Sequence, residues 1–365
     1  MNARNSRRGA VTPTGARDKD ARDKDARDKD VPDTPADAPD ETPTPPPPDA
    51  GPDSPAKLSG RSIWAALKRS VKEFMEDNLT DWAAALTYYG VLSIFPGLLV
   101  LVSVLGLLGP SAIRPLLENV GQITPGPVRT ILDNAANALE QSQGTAGITA
   151  IIGLAVAIWS SSGYVAAFMR ASNAIYDVRE GRPIWKTLPI RIGVTLLTGV
   201  LLVVSALIVV LTGDVAEQAG RALGIESVLV TTWSIVKWPV LVVLVSLMFA
   251  ILYWASPNAR QGGFRWVSPG GLVAVILWIV ASAGFAVYVS NFASYNKTYG
   301  TLAGVIVFLV WLWISNLAVL YGAELNAELE RQRTAAAGHP EDAEPYLQMR
   351  DTRKVKKGAD DDLGQ

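Results

Sequence analysis

Six stretches of this chain are each long and apolar enough to cross a bilayer, and they decide the solvent before any other feature is considered. Crossing ~30 Å of hydrocarbon takes about 20 apolar residues. The stretches run over Ala85–Gly109, Gly147–Met169, Ile190–Leu211, Trp238–Ala255, Gly270–Val289 and Thr301–Gly322. None carries an acid or a base well inside its core. The fourth is entered through Lys237 and Trp238, a cation and an indole suited to a headgroup boundary. Six such runs in succession, with polar joints between them, predict an all-α polytopic membrane protein with six transmembrane helices.

The basic residues predict which way it sits. Lys57, Arg61, Lys68, Arg69 and Lys72 precede span one, and Arg170, Arg179, Arg182, Lys186 and Arg191 lie between spans two and three. Arg260 and Arg265 follow span four, and Arg331, Arg333, Arg350, Arg353, Lys354, Lys356 and Lys357 follow span six. The opposite joints hold Arg114, Arg129, Arg221, Lys237 and Lys297. An excess of Lys and Arg marks cytoplasmic loops, so both termini are expected in the cytoplasm of a cell-membrane protein. An odd number of spans would break the alternation.

Chemistry is more restricted than topology. The formal net charge of -1 averages an Asp-rich tail with basic joints and decides nothing by itself. With no Cys, disulfides, thiolate metal sites and Cys nucleophiles are excluded. The one histidine, His339, falls in a polar C-terminal tail. No HExxH, no phosphate loop and no Ser/His/Asp set is present, so no catalytic residue, metal or cofactor is expected. The basic patches lack the interleaved aromatics of a nucleic-acid surface.

Three regions follow from composition. Residues 1–56 hold three Ala-Arg-Asp-Lys-Asp repeats and much of the chain's proline, including Pro45–Pro48, and read as a disordered cytoplasmic tail. That tail is either a partner-binding arm or an expandable linker. No cleavable leader is apparent, so span one is expected to serve as a signal-anchor. Residues 57–330 form the six-span domain, and 331–365 a polar cytoplasmic tail. Before span one, Ile63, Trp64, Leu67, Val71, Phe74 and Met75 recur on one helical face, with Lys68, Arg69, Lys72 and Glu73 on the other. Such an amphipathic surface helix lies in the inner headgroup layer or packs on the protein's own loops. The joint 110–145 offers a second amphipathic helix opening at Pro127, with Val128, Ile131, Leu132, Ala135 and Leu139 on one side.

Polar residues inside spans are the best functional pointers. Span one carries Tyr88, Tyr89, Ser93 and Pro96, and span two carries Ser160, Ser161, Ser162 and Gly163. Pro96 frees a backbone carbonyl, and the serines and glycine either interrupt their helix to bind a substrate or serve close packing. Asn291 and Tyr295 crowd the joint before span six, where Gly300 and Gly304 give a small-residue spacing for helix contact. Asn316, Leu320 and Glu324 are four apart and share one face. Glu324 either faces the bundle, where it would relay protons or bind a cation, or pairs with Arg179 or Arg182.

The segments Ala83–Tyr89 and Ser93–Pro96, Asn173–Glu180, Tyr253 with Pro257-Asn258, and Ser294–Gly300 running through Trp311-Leu312-Trp313 to Gly322–Asn326 make this chain resemble the YihY/BrkB family of bacterial inner-membrane proteins. The resemblance covers about Arg61 to Glu330 and implies a six-span helical protein. It also brings the labels "ribonuclease BN" and "virulence factor". Asn173 and Arg179, with Pro96, Gly300 and Gly304, are candidate structural positions. Tyr88, Tyr89, Ser93, Ser161, Asn291, Tyr295, Asn316 and Glu324 are candidate lining residues of a polar cavity. Their expected partners are the lipid bilayer and a lipid or small-molecule substrate, without nucleic acid. Self-association is left open by the small-residue faces. A transporter or a lipid- or envelope-handling factor is the first expectation, a membrane scaffold acting through its tails the second, and a ribonuclease the third.

Overall fold

The computed structural model describes residues 43–106, 146–210, 227–290 and 301–355. They contain seven α-helices: α1 (Gly60–Glu76), α2 (Leu79–Gly106), α3 (Ala146–Ile175), α4 (Ile184–Val210), α5 (Ser227–Ala255), α6 (Phe264–Ser290) and α7 (Thr301–Ala336). The helix expected to open at Pro127 lies outside the described residues, as do Asn291, Tyr295 and Gly300. Among the described residues β-pairing is limited to one antiparallel bridge, Ala259 with Met349.

Local chemistry accounts for the helix ends. Ser59 caps α1, its hydroxyl accepting from Ser62 N at 3.1 Å. Asn78, at φ 52°, turns the chain from α1 into α2. α3 ends where Val178 N reaches back to Asn173 O at 2.9 Å while Asp177 takes φ 49°, the left-handed turn that closes many helices. Asn and Asp tolerate that conformation better than most side chains.

Among the described residues, four helices are long and apolar enough to cross a membrane: Ile184–Val209, Thr232–Ala255, Phe264–Ser290 and Ala303–Ala336. Their outward surfaces are apolar. Val200, Leu202, Val243, Val280 and Val287 are each more than half exposed, which in water would be a large unstable patch and in lipid is the expected exterior. α2 and α3, of 28 and 30 residues, coincide with the first two apolar stretches.

α7 is the centre of the packing. It touches α6, α2, α1 and α3, while α2 packs on α3 and α5 on α6. Glycines set the closest approach. A Cβ on Gly270 would collide with the Gly322 carbonyl oxygen, so α6 and α7 cross backbone to backbone there. Gly304 has nothing within 4 Å of its Cβ direction and looks onto open space. The close α7 contact therefore falls at Gly322, where a facing glycine exists.

One end of the bundle gathers the α3–α4 joint, the α5–α6 joint, residues 43–58 and residues 337–355, and the buried core reaches into it. Phe168, Tyr176, Tyr253, Ala259, Leu320, Ala323, Tyr346 and Leu347 belong to one cluster. We call this the tail end. The part of the 1–56 tail that is described, from residue 43 on, is held by polar contacts: Arg333 Nη1 donates to Pro48 O at 3.0 Å and Ala50 O at 2.7 Å. A boundary at 330 cuts a continuous helix, because Glu328–Arg331 and Glu330–Arg333 pairs carry α7 onward to Ala336. The chain then folds back. Arg260 N donates to Gln348 O and Arg350 N to Asn258 O, both at 2.8 Å.

Candidate functional site

Among the described residues, the largest gatherings of polar side chains on the helices are two. The first is the crossing of α2, α3 and α7. Tyr164 OH donates to Asn316 Oδ1 at 2.8 Å, and Asn316 Nδ2 donates to Thr87 Oγ1 at 3.0 Å. The Thr87 hydroxyl donates in turn to Ala83 O at 2.8 Å. Asn316 is buried and both ends of its amide are engaged, so it ties three helices together. Pro96, lacking an N–H, leaves Leu92 O without its usual helical donor, and Ser160 Oγ supplies one at 3.3 Å. The expected freed carbonyl is thus answered from the next helix.

The remaining predicted lining residues scatter. Tyr88 is 61 % exposed on the outer surface. Tyr89 is half-buried, its ring in van der Waals reach of the Cβ position of Gly163. Ser93 Oγ donates to its own helix at Tyr89 O, 2.7 Å away. Ser161 is half-buried, whereas its neighbour Ser162 is enclosed. Trp278 Nε1 donates to Ser315 Oγ and Trp311 Nε1 to Ser282 Oγ, each at 3.1 Å, joining α6 to α7.

The second place is the tail end. Asn173 Nδ2 donates to Glu180 Oε2 at 2.9 Å, and its carbonyl accepts from Asn258 N at 2.7 Å. Asn258 Nδ2 in turn donates to Arg179 O and Asp351 O. Arg182 grips Glu180 with two bonds of 2.7 Å and reaches Ser256 O at 2.7 Å. Burial pushes the Glu180 carboxyl up, but Arg182 and Asn173 outweigh it and leave it below the usual range. Arg353, then Lys186, hold Asp351 well below it. Arg179 contributes its carbonyl to this clasp while its side chain stays exposed.

Beside the clasp lies a group of carboxyls that its cations do not neutralise. Asn316, Leu320 and Glu324 do share one face, and all three are buried. Glu324 is 1 % exposed, and its Oε2 has no hydrogen-bond partner. Among the described residues it makes no ion pair, so the expected pairing with Arg179 or Arg182 does not occur. Arg182 is taken by Glu180, two residues away. The charges acting on Glu324 are the carboxyls of Asp77, Glu328, Glu73 and Asp177. Glu328 is the better matched, with Arg69 at 3.1 Å and Arg331 at 3.3 Å. Burial first, then Asp177 and Glu73, push the Asp77 carboxyl up to about 7. Burial, then Glu344, push Asp177 up to about 6 against the pull of Arg331.

Sequence reasoning singled out Glu324 and missed its company. Asp77 and Asp177 stand at helix ends in left-handed turns or beside them, where a carboxylate reads as a cap. No group of His, Cys, Asp and Glu spaced to hold a metal ion occurs among the described residues.

Comparison with known proteins agrees with this architecture. The family described as "Virulence factor BrkB" matches residues 70–346. The ribonuclease-like protein YfkH of Bacillus subtilis is 28 % identical over 71 % of this chain and 92 % of its own length. A UPF0761 membrane protein of Alteromonas mediterranea is 31 % identical over 71 % of this chain and 85 % of its own. Another, from Ralstonia nicotianae, is 31 % identical, and the alignment spans 58 % of that longer protein. No solved structure matches the chain. On the matched span and the apolar helices together, this chain is a multi-pass membrane protein and belongs to the BrkB family.

Proposed function

We propose that this chain is a six-span protein of the cytoplasmic membrane, with both termini in the cytoplasm, that transports or handles a lipid or small molecule and relays protons through Glu324. Adding α2 and α3 to the four apolar helices makes six spans. The meeting of residues 43–58 with Arg333 supports tails on a common side, and the basic joints supply the direction.

One observation carries the functional reading: Glu324 is enclosed by protein with an oxygen unmet, amid other carboxyls and beside Asp77, whose proton affinity is tuned near neutrality. A buried carboxyl without a counter-cation is expensive to keep unless it works, and proton relays in membrane proteins are built from such groups. The scaffold reading loses ground because residues 43–58 and 337–355 are spent on the protein's own packing. A ribonuclease reading is disfavoured by the sequence, which carries no HExxH and a single histidine, His339, in the C-terminal tail.

The test uses full-length protein in liposomes loaded with a pH-sensitive dye, with proton entry driven by a membrane potential. Wild-type protein should admit protons above empty liposomes. Glu324→Gln should abolish this while inserting and melting as the wild type does. Wild-type flux equal to that of empty liposomes, or undiminished flux in Glu324→Gln, would overturn the reading.

A further inference from the structure

The α2–α3–α4 face carries two cations that no acid among the described residues neutralises. Arg170 lies five residues before the end of α3, and Arg191 seven residues after the start of α4. At ~1.5 Å per residue both sit about 8–10 Å in from the tail end, the depth of lipid headgroups. They act electrostatically on each other, and the same Tyr89 acts on both. The Arg170 guanidinium stands 5.7 Å over the Tyr89 ring, and Arg191 stands 5.1 Å over Trp159.

Neither arginine has an acidic partner among the described residues. α3 and α4 contain no Asp or Glu, and α2 holds only Asp81, in its first turn. Arg191 is nonetheless aimed. Its Nε donates to Ser162 O and Ser162 Oγ, both at 2.8 Å, which holds the guanidinium in place. Arg170 is exposed, and the exposed Trp159 and Tyr88 flank the pair with rings that favour the headgroup layer. Arg191, held by Ser162, and the exposed Arg170, each over an aromatic ring and neither matched by an acid among the described residues, together present a fork for phosphate.

We propose that Tyr89, Arg170 and Arg191 form a binding site for the phosphate of an anionic phospholipid in the leaflet at the tail end. The site depends on the protein's place in the membrane and not on proton handling at Glu324. Delipidated full-length protein titrated with phosphatidylglycerol, phosphatidylcholine or inorganic phosphate, and read by native mass spectrometry, tests it. Phosphatidylglycerol should bind well above phosphatidylcholine, and Arg170→Gln/Arg191→Gln should weaken it by roughly thirtyfold. Arg170→Gln alone leaves the Ser162 contacts intact and should still lower binding if the double variant fails to fold. Lys237→Gln and Glu324→Gln should change nothing. Equal binding of the two lipids, unchanged binding in Arg170→Gln, or displacement by millimolar inorganic phosphate would overturn the assignment.

Discussion

Within α7, Val305, Ile306, Phe308, Leu309 and Val310 stand exposed early in the helix, while Glu324, Asn326, Glu328, Glu330, Arg331 and Arg333 lie buried later in it. A helix in water would arrange these the other way. In a bilayer the apolar residues belong outside, and polar ones must be enclosed by protein that meets their hydrogen bonds. The tail end does this with side chains from both joints and both tails. The lipid-facing half needs only area. Sensitivity to substitution should therefore differ sharply between the two halves.

The largest effect should come from Arg333→Ala. Arg333 and Glu330 are 1 % and 0 % exposed and share a 2.6 Å bond, so removing the cation strands a sealed carboxylate. A loss of about 3–5 kcal/mol is expected, read as a lower melting temperature in detergent. Val305→Ala, facing lipid, should leave melting almost unchanged. A comparable loss at both positions would erase the contrast.

Next comes the glycine crossing. Gly322→Ala places a methyl against the Gly270 backbone and the Tyr253 hydroxyl and should cost about 1–3 kcal/mol, whereas Gly304→Ala, with open space, should cost nothing measurable. Asn316→Ala strands the Tyr164 hydroxyl, takes one donor from Thr87 and should cost about 1–3 kcal/mol. Adding Thr87→Ala on that background should cost less than it does alone, and strict additivity would argue against the network.

The remaining effect is the dependence on pH. Asp77 and Asp177 bind their protons more tightly folded than unfolded. The folded state should therefore lose stability as pH rises from 3.8 to about 7, with the whole penalty present above that. Melting temperature should fall between pH 5 and pH 8, and Asp77→Asn should flatten the slope. A slope unchanged in Asp77→Asn would remove this carboxyl group from the account.

What was legible in the sequence follows the same division. The apolar helices could be read directly, because a bilayer demands length and composition that nothing else mimics so often in one chain. The Asn316–Leu320–Glu324 face was legible from helical spacing, and the freed carbonyl from Pro96. Its donor, Ser160, was beyond reach, since spacing within one helix says nothing of which serine a neighbouring helix will offer. The Glu324 pairing failed because Arg182 had a nearer acid in Glu180. The docking of residues 43–58 left no trace in periodicity, being made through backbone carbonyls to Arg333.

The natural absence of cysteine makes the decisive measurement clean. Ala56→Cys and Ala337→Cys, placed singly at exposed positions of the two tail segments, can be treated in intact cells with a maleimide that cannot cross membranes. Both should react only after the membrane is opened. Labelling of one of them in intact cells would put the tails on opposite sides and dismantle the enclosed polar end.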